Sequence, residues 1–199
     1  MIFNYNTNMS KVFFTSDNHF GHKNIKKFCP QTRQGENVDQ MNALMIRRWQ
    51  EQVQQDDLVY LLGDVFFCDA EKANRIIDQL PGQKFLVFGN HDKVIRSNST
   101  LRNKFVATAE WREIYVENKK VVLHHYPTYE WKDMHKGAYH CYGHIHSRFG
   151  EIEHPNIPGR CMDVGVDSRP AGDMTLWSWE EVNKILSVRD VRGHHDKEL

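Results

Sequence analysis

The stretch Leu86-Val87-Phe88-Gly89-Asn90-His91-Asp92 constrains this chain more than any other. A short apolar run stops at a glycine, and side chains able to bind cations or move protons follow at once. A buried strand that delivers a functional loop from its C-terminal end has this form. The pattern recurs. Residues 12–16 lead into Asp17-Asn18-His19, residues 58–62 into Gly63-Asp64, residues 121–123 into His124-His125-Tyr126-Pro127, and residues 139–142 into Gly143-His144-Ile145-His146. Five strand ends therefore offer Asp, His and Asn.

The intervening stretches read as helix and loop. Met41, Leu44, Met45, Ile46 and Trp49 recur at helical spacing over 38–53. Ala73, Ile76, Ile77 and Leu80 do so over 70–80, with Asp69 as N-cap and Pro81-Gly82 as a stop. Residues 20–37 read as an irregular loop. Strand, helix, strand, helix, strand over the first half argues for right-handed crossovers and a parallel core. The second half changes character. A hairpin is expected around Asn118, with short strands at 138–142 and 161–166. A last helix starts at Ser178, where Glu181 completes a capping box.

Length and composition set the outer bounds. The 199 residues suit one domain, expected over 11–187, with a flexible lead-in at 1–10 and a polar tail at 188–199. The 26 basic and 26 acidic residues cancel, so no global basic field exists to hold a long nucleic acid. Stable nucleic-acid binding is not expected, and neither is membrane association, since no run approaches a span. Four scattered cysteines without a C-x-x-C pair read as reduced core residues in the cytoplasm.

The donor types at the strand ends are oxygen and imidazole nitrogen, without thiolate. That mix suits borderline divalent ions such as Mn²⁺, Fe²⁺, Co²⁺, Ni²⁺ or Zn²⁺. Asp17, His19, Asp64, Asn90, His125, His144 and His146 exceed the needs of one ion and suit two. Strand alternation is expected to place both members of Asp17-x-His19, and of His144-x-His146, on one side. Glycines at 63 and 89 are expected to let the backbone turn sharply and approach an ion.

In order, Asp17-Asn18-His19, Gly63-Asp64, Gly89-Asn90-His91-Asp92, His125-Tyr126-Pro127 and Gly143-His144-Ile145-His146 resemble the calcineurin-like metallophosphoesterase superfamily. The resemblance runs from about residue 11 to 166. It implies an α/β fold of two packed mixed β-sheets flanked by helices. It also implies a first metal on Asp17, His19, Asp64 and His146, with Asp64 bridging to a second metal held by Asn90, His125 and His144. A metal-bridging hydroxide would attack phosphorus. His91 would protonate the leaving oxygen, and Asp92 would orient its ring. The implied substrate is a small or nucleotide-like phosphodiester or phosphomonoester. The motifs depart from those of protein Ser/Thr phosphatases, because His-Asp follows Asn90 where that branch has His-Glu, and no Arg-Gly follows Asp64. The opening motif is similar to that of a compact, cap-free bacterial and phage-type branch. A nuclease on DNA or RNA ends is the alternative within the fold, and a non-catalytic scaffold the alternative outside catalysis. The oligomeric state stays open.

Other residues are ambiguous on sequence alone. His22 and Arg148 are candidates for substrate phosphate. Phe66-Phe67 could wall a base-binding pocket, with core packing the better reading, whereas Tyr129 and Trp131 lean toward a pocket rim.

Overall fold

A computed structural model describes residues 10–146 and 157–192. Arg148, most of the expected lead-in and the end of the tail lie outside these residues. The strands are β1 (Val12–Thr15), β2 (Leu58–Leu61), β3 (Gln83–Val87), β4 (Ala107–Ala109), β5 (Trp111–Val116), β6 (Lys119–His124), β7 (Tyr139–Tyr142), β8 (Cys161–Asp163) and β9 (Trp177–Ser178). The α-helices are α1 (Ile25–Phe28), α2 (Val38–Gln52), α3 (Ala70–Ile77), α4 (Lys93–Ser97), α5 (Ser99–Arg102) and α6 (Trp179–Ser187).

Two sheets form, ordered β4-β3-β2-β1-β9 and β5-β6-β7-β8. In the first, β1, β2, β3 and β4 run parallel and β9 pairs antiparallel with β1. In the second, β5 and β6 form the expected hairpin, and β6, β7 and β8 run parallel. This is the α/β arrangement of two mixed sheets flanked by helices.

Period-two alternation decides what each strand packs against. Phe13, Val59, Leu61 and Leu86 face a core shared with α2 and α3. Their neighbours Phe14, Tyr60, Leu62 and Val87 face the space between the sheets. There they meet Val121, Leu123, Tyr139 and Cys141 of the second sheet and Val182 and Leu186 of α6. Val122 and Tyr142 turn outward onto a third cluster with Trp131 and Met134. The near-continuous apolar runs in the sequence follow from this layering: both faces of the central strands are covered.

Caps fix the helix starts. The Asn37 side chain accepts from the Asp39 and Gln40 amides at α2, and Asp69 accepts from Lys72 at α3. Such caps contribute about 1 kcal/mol each. Ser178 and Glu181 make the reciprocal box that opens α6.

The structure corrects two boundaries. The 20–37 loop contains the single turn α1. The strand expected to reach 166 stops at Asp163. Beyond it Gly165 bridges to Ser16, Val166 N donates to the Ser16 carbonyl at 3.0 Å, and a 3₁₀ turn follows. That bridge pins the ends of β1 and β8 together just before Asp17. The segment that builds α4, α5 and β4 carried no readable pattern. Among the described residues, no helix is long and apolar enough to cross a membrane.

Candidate metal centre

The loops after β1 and β2 stay bonded to each other past the ends of the strands. Asp17 N donates to the Gly63 carbonyl at 3.0 Å, His19 N to Asp64 at 3.0 Å, and Phe20 N to Val65 at 2.9 Å. The third loop joins through Asp64, whose Oδ1 accepts from His91 N at 2.8 Å. Gly63 sits at φ 92° and packs so closely that a Cβ would stand 2.5 Å from Gly89 N. A Cβ on Gly89 would in turn strike the Asp64 carboxylate. These glycines let loop pack on loop.

The alternation argument for the paired motifs does not hold. Asp17, His19, Asp64, His144 and His146 all have positive φ, between 48° and 72°. They are five of the nine non-glycine residues with positive φ among those described. A left-handed residue costs roughly 1–2 kcal/mol relative to its ordinary conformation. Concentrating five of them at one place marks a spot where side-chain direction overrides backbone preference. Both members of each pair converge because each residue turns left-handed, not because the chain is extended.

Two three-donor groups result, each with its atoms within 4.8 Å of one another: Asp17, His19 and His146, and Asp17, Asp64 and His125. His19 Nε2 lies 3.7 Å from Asp17 Oδ1 and 3.9 Å from Asp64 Oδ2. His125 Nε2 lies 3.7 Å from the same Asp64 oxygen, and His146 Nε2 lies 3.8 Å from Asp17 Oδ1. Asp64 Oδ2 therefore stands between the rings of His19 and His125. Asn90 meets His125 Nε2 through Oδ1 at 2.9 Å. His144 stands beside them with its ring edge-on to His125, centroids 5.1 Å apart, and is in neither three-donor group. Its backbone N–H binds Asp17 Oδ2 at 2.8 Å.

The donor set fits a divalent cation on two counts. First, Asp17 Oδ1 and both His19 ring nitrogens are buried without a hydrogen-bond partner. Buried polar atoms are rarely left so, because each costs on the order of 1–3 kcal/mol. Second, His125 Nδ1 donates to the Leu62 carbonyl at 2.7 Å, which leaves a lone pair on Nε2 of the neutral ring. That lone pair faces the site beside the Asn90 side-chain amide, where a cation could take it. Although burial alone would raise it, the Asp17 carboxyl is held at about 2 by the rings of His19, His146 and His125. It is an anion ready to coordinate.

Sequence reading missed the support behind His146. Its Nδ1 lies 2.6 Å from Asp167 Oδ2, so the ring donates there and its Nε2 faces Asp17. Burial pulls the His146 pKa down, but Asp167, Cys29 and Asp17 carry it up to about 10, so a metal ion taking Nε2 has to displace a proton from it. Asp167 is itself clamped by buried Arg33, through Nε at 2.8 Å and Nη2 at 2.7 Å, and by the Thr32 hydroxyl. Arg33 also donates to the Asp17 carbonyl at 2.6 Å and the Asn18 carbonyl at 2.9 Å. Cys29, His146 and Asp167 also lie within cation-binding distance of one another. The Asp167 oxygens are already taken by Arg33, Thr32 and His146, so that group is not a further metal site. Arg33 and Asp167 sit 134 positions apart, and nothing local in the sequence marks either.

Other expectations need correction. Asp92 was expected to orient the His91 ring. Its buried carboxylate instead accepts from the backbone N–H groups of Gly89 (2.8 Å), Val65 (2.9 Å) and Asp64 (3.0 Å). Burial pushes this carboxyl up while those donors pull it down. Phe66 is core as expected, but Phe67 stacks on His19 at 4.6 Å and packs against His22 and His91. Trp131 is buried with its indole N–H on the Ala138 carbonyl, away from the rim, and exposed Tyr129 packs against Arg192. His22 lies at the rim beside His19, and burial and the neighbouring rings of His19 and His91 lower its pKa from the usual histidine value.

Comparison with known proteins gives the family. The model of the calcineurin-like phosphoesterase superfamily domain matches residues 11–158. This chain belongs to that superfamily. A crystallised Aquifex aeolicus protein of unknown function shares the fold, with a TM-score of 0.70 and 25% identity over 89% of this chain and 100% of its own. The gene 66 protein of Mycobacterium phage L5 is 27% identical over 80% of this chain and 88% of its own length. An uncharacterized protein of Methanocaldococcus jannaschii is 40% identical over 87 residues, which is 43% of this chain and about half (48%) of that relative. Superfamily membership assigns the chain to phosphoesterase chemistry in general terms.

Proposed function

We propose that the protein is a two-metal phosphoesterase that hydrolyses phosphodiester or phosphomonoester bonds of small or nucleotide-like substrates. The observation that carries this reading is the pair of three-donor groups sharing Asp17, with the buried Asp17 oxygen and His19 nitrogens left unpartnered. Asp17, His19 and His146 would hold one divalent ion. Asp64 and His125, with Asn90 and His144 beside them, would hold the other. Mn²⁺, Fe²⁺, Co²⁺, Ni²⁺ and Zn²⁺ all suit these donors. Such a pair supplies Lewis-acid charge at the phosphoryl oxygens and lowers the pKa of water.

The chain's own residues do the rest. His91 stands exposed on its loop beside Phe67, outside the donor groups, where its ring can give a proton to the departing oxygen. Asp92 ties the Gly63-Asp64 loop to the Gly89-Asn90 loop, which holds His91 in place against Asp64. Asp167 holds His146 in the tautomer that presents Nε2 to the cavity. All four cysteines are free, which suits a cytoplasmic setting.

The test is hydrolysis of bis-p-nitrophenyl phosphate and p-nitrophenyl phosphate by folded protein supplied with Mn²⁺. His91→Ala is expected to lower turnover by roughly 10²–10⁴-fold with bound metal unchanged. Loss of metal in that variant would refute the role given to His91. Inactivity on both esters with every metal would refute the reading itself.

A further inference from the structure

A cavity of about 540 Å³ opens beside the donor groups, within the range of roughly 300–1,000 Å³ typical of small-molecule sites. Its floor is His19, His146 and Asp167. Its walls are of another kind. Ile25, Phe28, Phe67 and Ile145 are apolar, and four rings run in sequence from the centre to the mouth. His91 packs on Phe67 with centroids 4.7 Å apart, and Phe67 packs on His22 at 4.3 Å. His22 stacks on Phe28 at 6.3 Å, with the planes inclined by 20°. Phe28 is 70% exposed at the end of α1. No Lys or Arg is among the described residues that line the cavity.

We infer that this cavity is a subsite for a planar aromatic leaving group, of the size and chemistry of a nucleoside, and that the ring run is its stacking surface. The inference rests on the phosphoesterase reading in one respect: His91 protonates the leaving oxygen. Because His91 lines this cavity, the group bonded to that oxygen must lie in it. The stacking surface is there independently of the chemistry. Exposed Phe28 offers a π-face that any base can use, with Phe67 behind it, whereas the described walls hold no Lys or Arg for a second charged phosphate. In the reaction the P–O bond to the nucleoside breaks and its electron pair goes to the leaving oxygen, which takes the His91 proton. Water supplies hydroxide to phosphorus, and its other proton restores His91 by way of solvent. The products are the nucleoside and the phosphate bearing the other ester group.

A matched diester separates the possibilities. In the methyl ester of adenosine 5′-monophosphate both sides leave as primary alcohols of similar acidity, so the products report which side occupies the cavity. Adenosine with methyl phosphate is the expected outcome. Adenosine 5′-monophosphate with methanol would overturn the inference. Binding of the same diester and of dimethyl phosphate to Mn²⁺-loaded protein is measured in parallel by calorimetry. The adenosine ester is expected to bind about tenfold more tightly, and that ratio should fall toward one in Phe28→Ala and Phe67→Leu. Equal affinity of the two esters for the parent protein, or an unchanged ratio in both variants, would overturn the subsite. Phe28 is exposed, so Phe28→Ala should leave the fold intact. If neither this diester nor bis-p-nitrophenyl phosphate is hydrolysed while the ring-dependent binding persists, the phosphoesterase reading fails and the subsite is supported.

Discussion

On the rim built by the first sheet, Asp17, His19 and Asp64 sit on loops whose backbones bond directly to one another. On the rim built by the second sheet, His125 and His146 are held by their own ring nitrogens, one on the Leu62 carbonyl and one on Asp167. The first rim is an extension of a parallel ladder, with Asp92 as a cross-brace. The second depends on a buried ion pair, Asp167 with Arg33, brought from distant parts of the chain. Backbone bracing fixes where a loop is. Side-chain bracing fixes which nitrogen of a ring faces the cavity. A site that needs both carboxylates and neutral imidazoles has use for both.

The largest effect should come from Asp167→Asn. Removing one partner of a buried ion pair typically costs about 3–5 kcal/mol, because the other charge is stranded. Chemical denaturation should show a loss of that order. Titration with Mn²⁺ should also show affinity reduced by roughly 10–100-fold, as for other residues that orient a ligating histidine. Unchanged Mn²⁺ affinity would mean that the second rim does not depend on this brace. On the first rim, Asp92→Ala removes the acceptor of three backbone N–H groups. Water will reach some of them, so the expected loss is about 3 kcal/mol, with each dry donor costing roughly 1–3 kcal/mol. Asp92→Asn retains one carbonyl oxygen and should recover part of the stability. If Asp92→Ala is as stable as the parent, the loops are held by the ladder alone.

The parallel half of the fold was legible because its physics is local. Strands buried on both faces must be apolar throughout, and Asp69 and Ser178 announce the helices that follow them. The ligand residues were legible too, as a set of donors ending apolar runs, although the left-handed backbone that makes them converge was not. The α4–β4 segment was opaque, because helices of five and four residues carry too little periodicity to read. Arg33, Asp167 and the aromatic run were opaque for a different reason. Arg33 and Asp167 gain their meaning from contacts more than a hundred residues apart, and Phe67 next to Phe66 gave no sign that one ring faces the core and the other the cavity.

A histidine outside both rims sharpens the contrast. His140 is fully buried on β7, with Nδ1 on the Val122 carbonyl at 3.1 Å and Nε2 facing the Thr128 N–H at 3.3 Å. Burial first, with little help from its neighbours, lowers its pKa from 6.5 to about 4. The folded ring stays neutral while the unfolded ring takes a proton below about pH 6.5, so stability is lost as the pH falls from there toward 4. Between pH 7 and pH 5 the contribution is about 2 kcal/mol. His140→Gln should flatten that part of the stability profile in denaturant titrations. An unchanged profile would mean that other groups account for it.

The smallest effect tests whether the two rims are independent. Glu117 and Asn118 form the two-residue turn of the β5–β6 hairpin, with φ 47° and 62°. Asn tolerates that conformation and Ala does not, so Asn118→Ala should cost about 1 kcal/mol. His125 follows directly from the far end of β6, whose register against β5 this turn sets. If strand pairing alone carried His125 to its place, loosening the turn would also weaken metal binding. The Leu62 bond on Nδ1 argues otherwise, because it fixes the ring from the first sheet whatever the hairpin does. The stability gained on saturation with Mn²⁺ should therefore be the same in Asn118→Ala as in the parent. A smaller gain would show that the second rim inherits its position from the hairpin and that its side-chain braces act only after the strand has placed them.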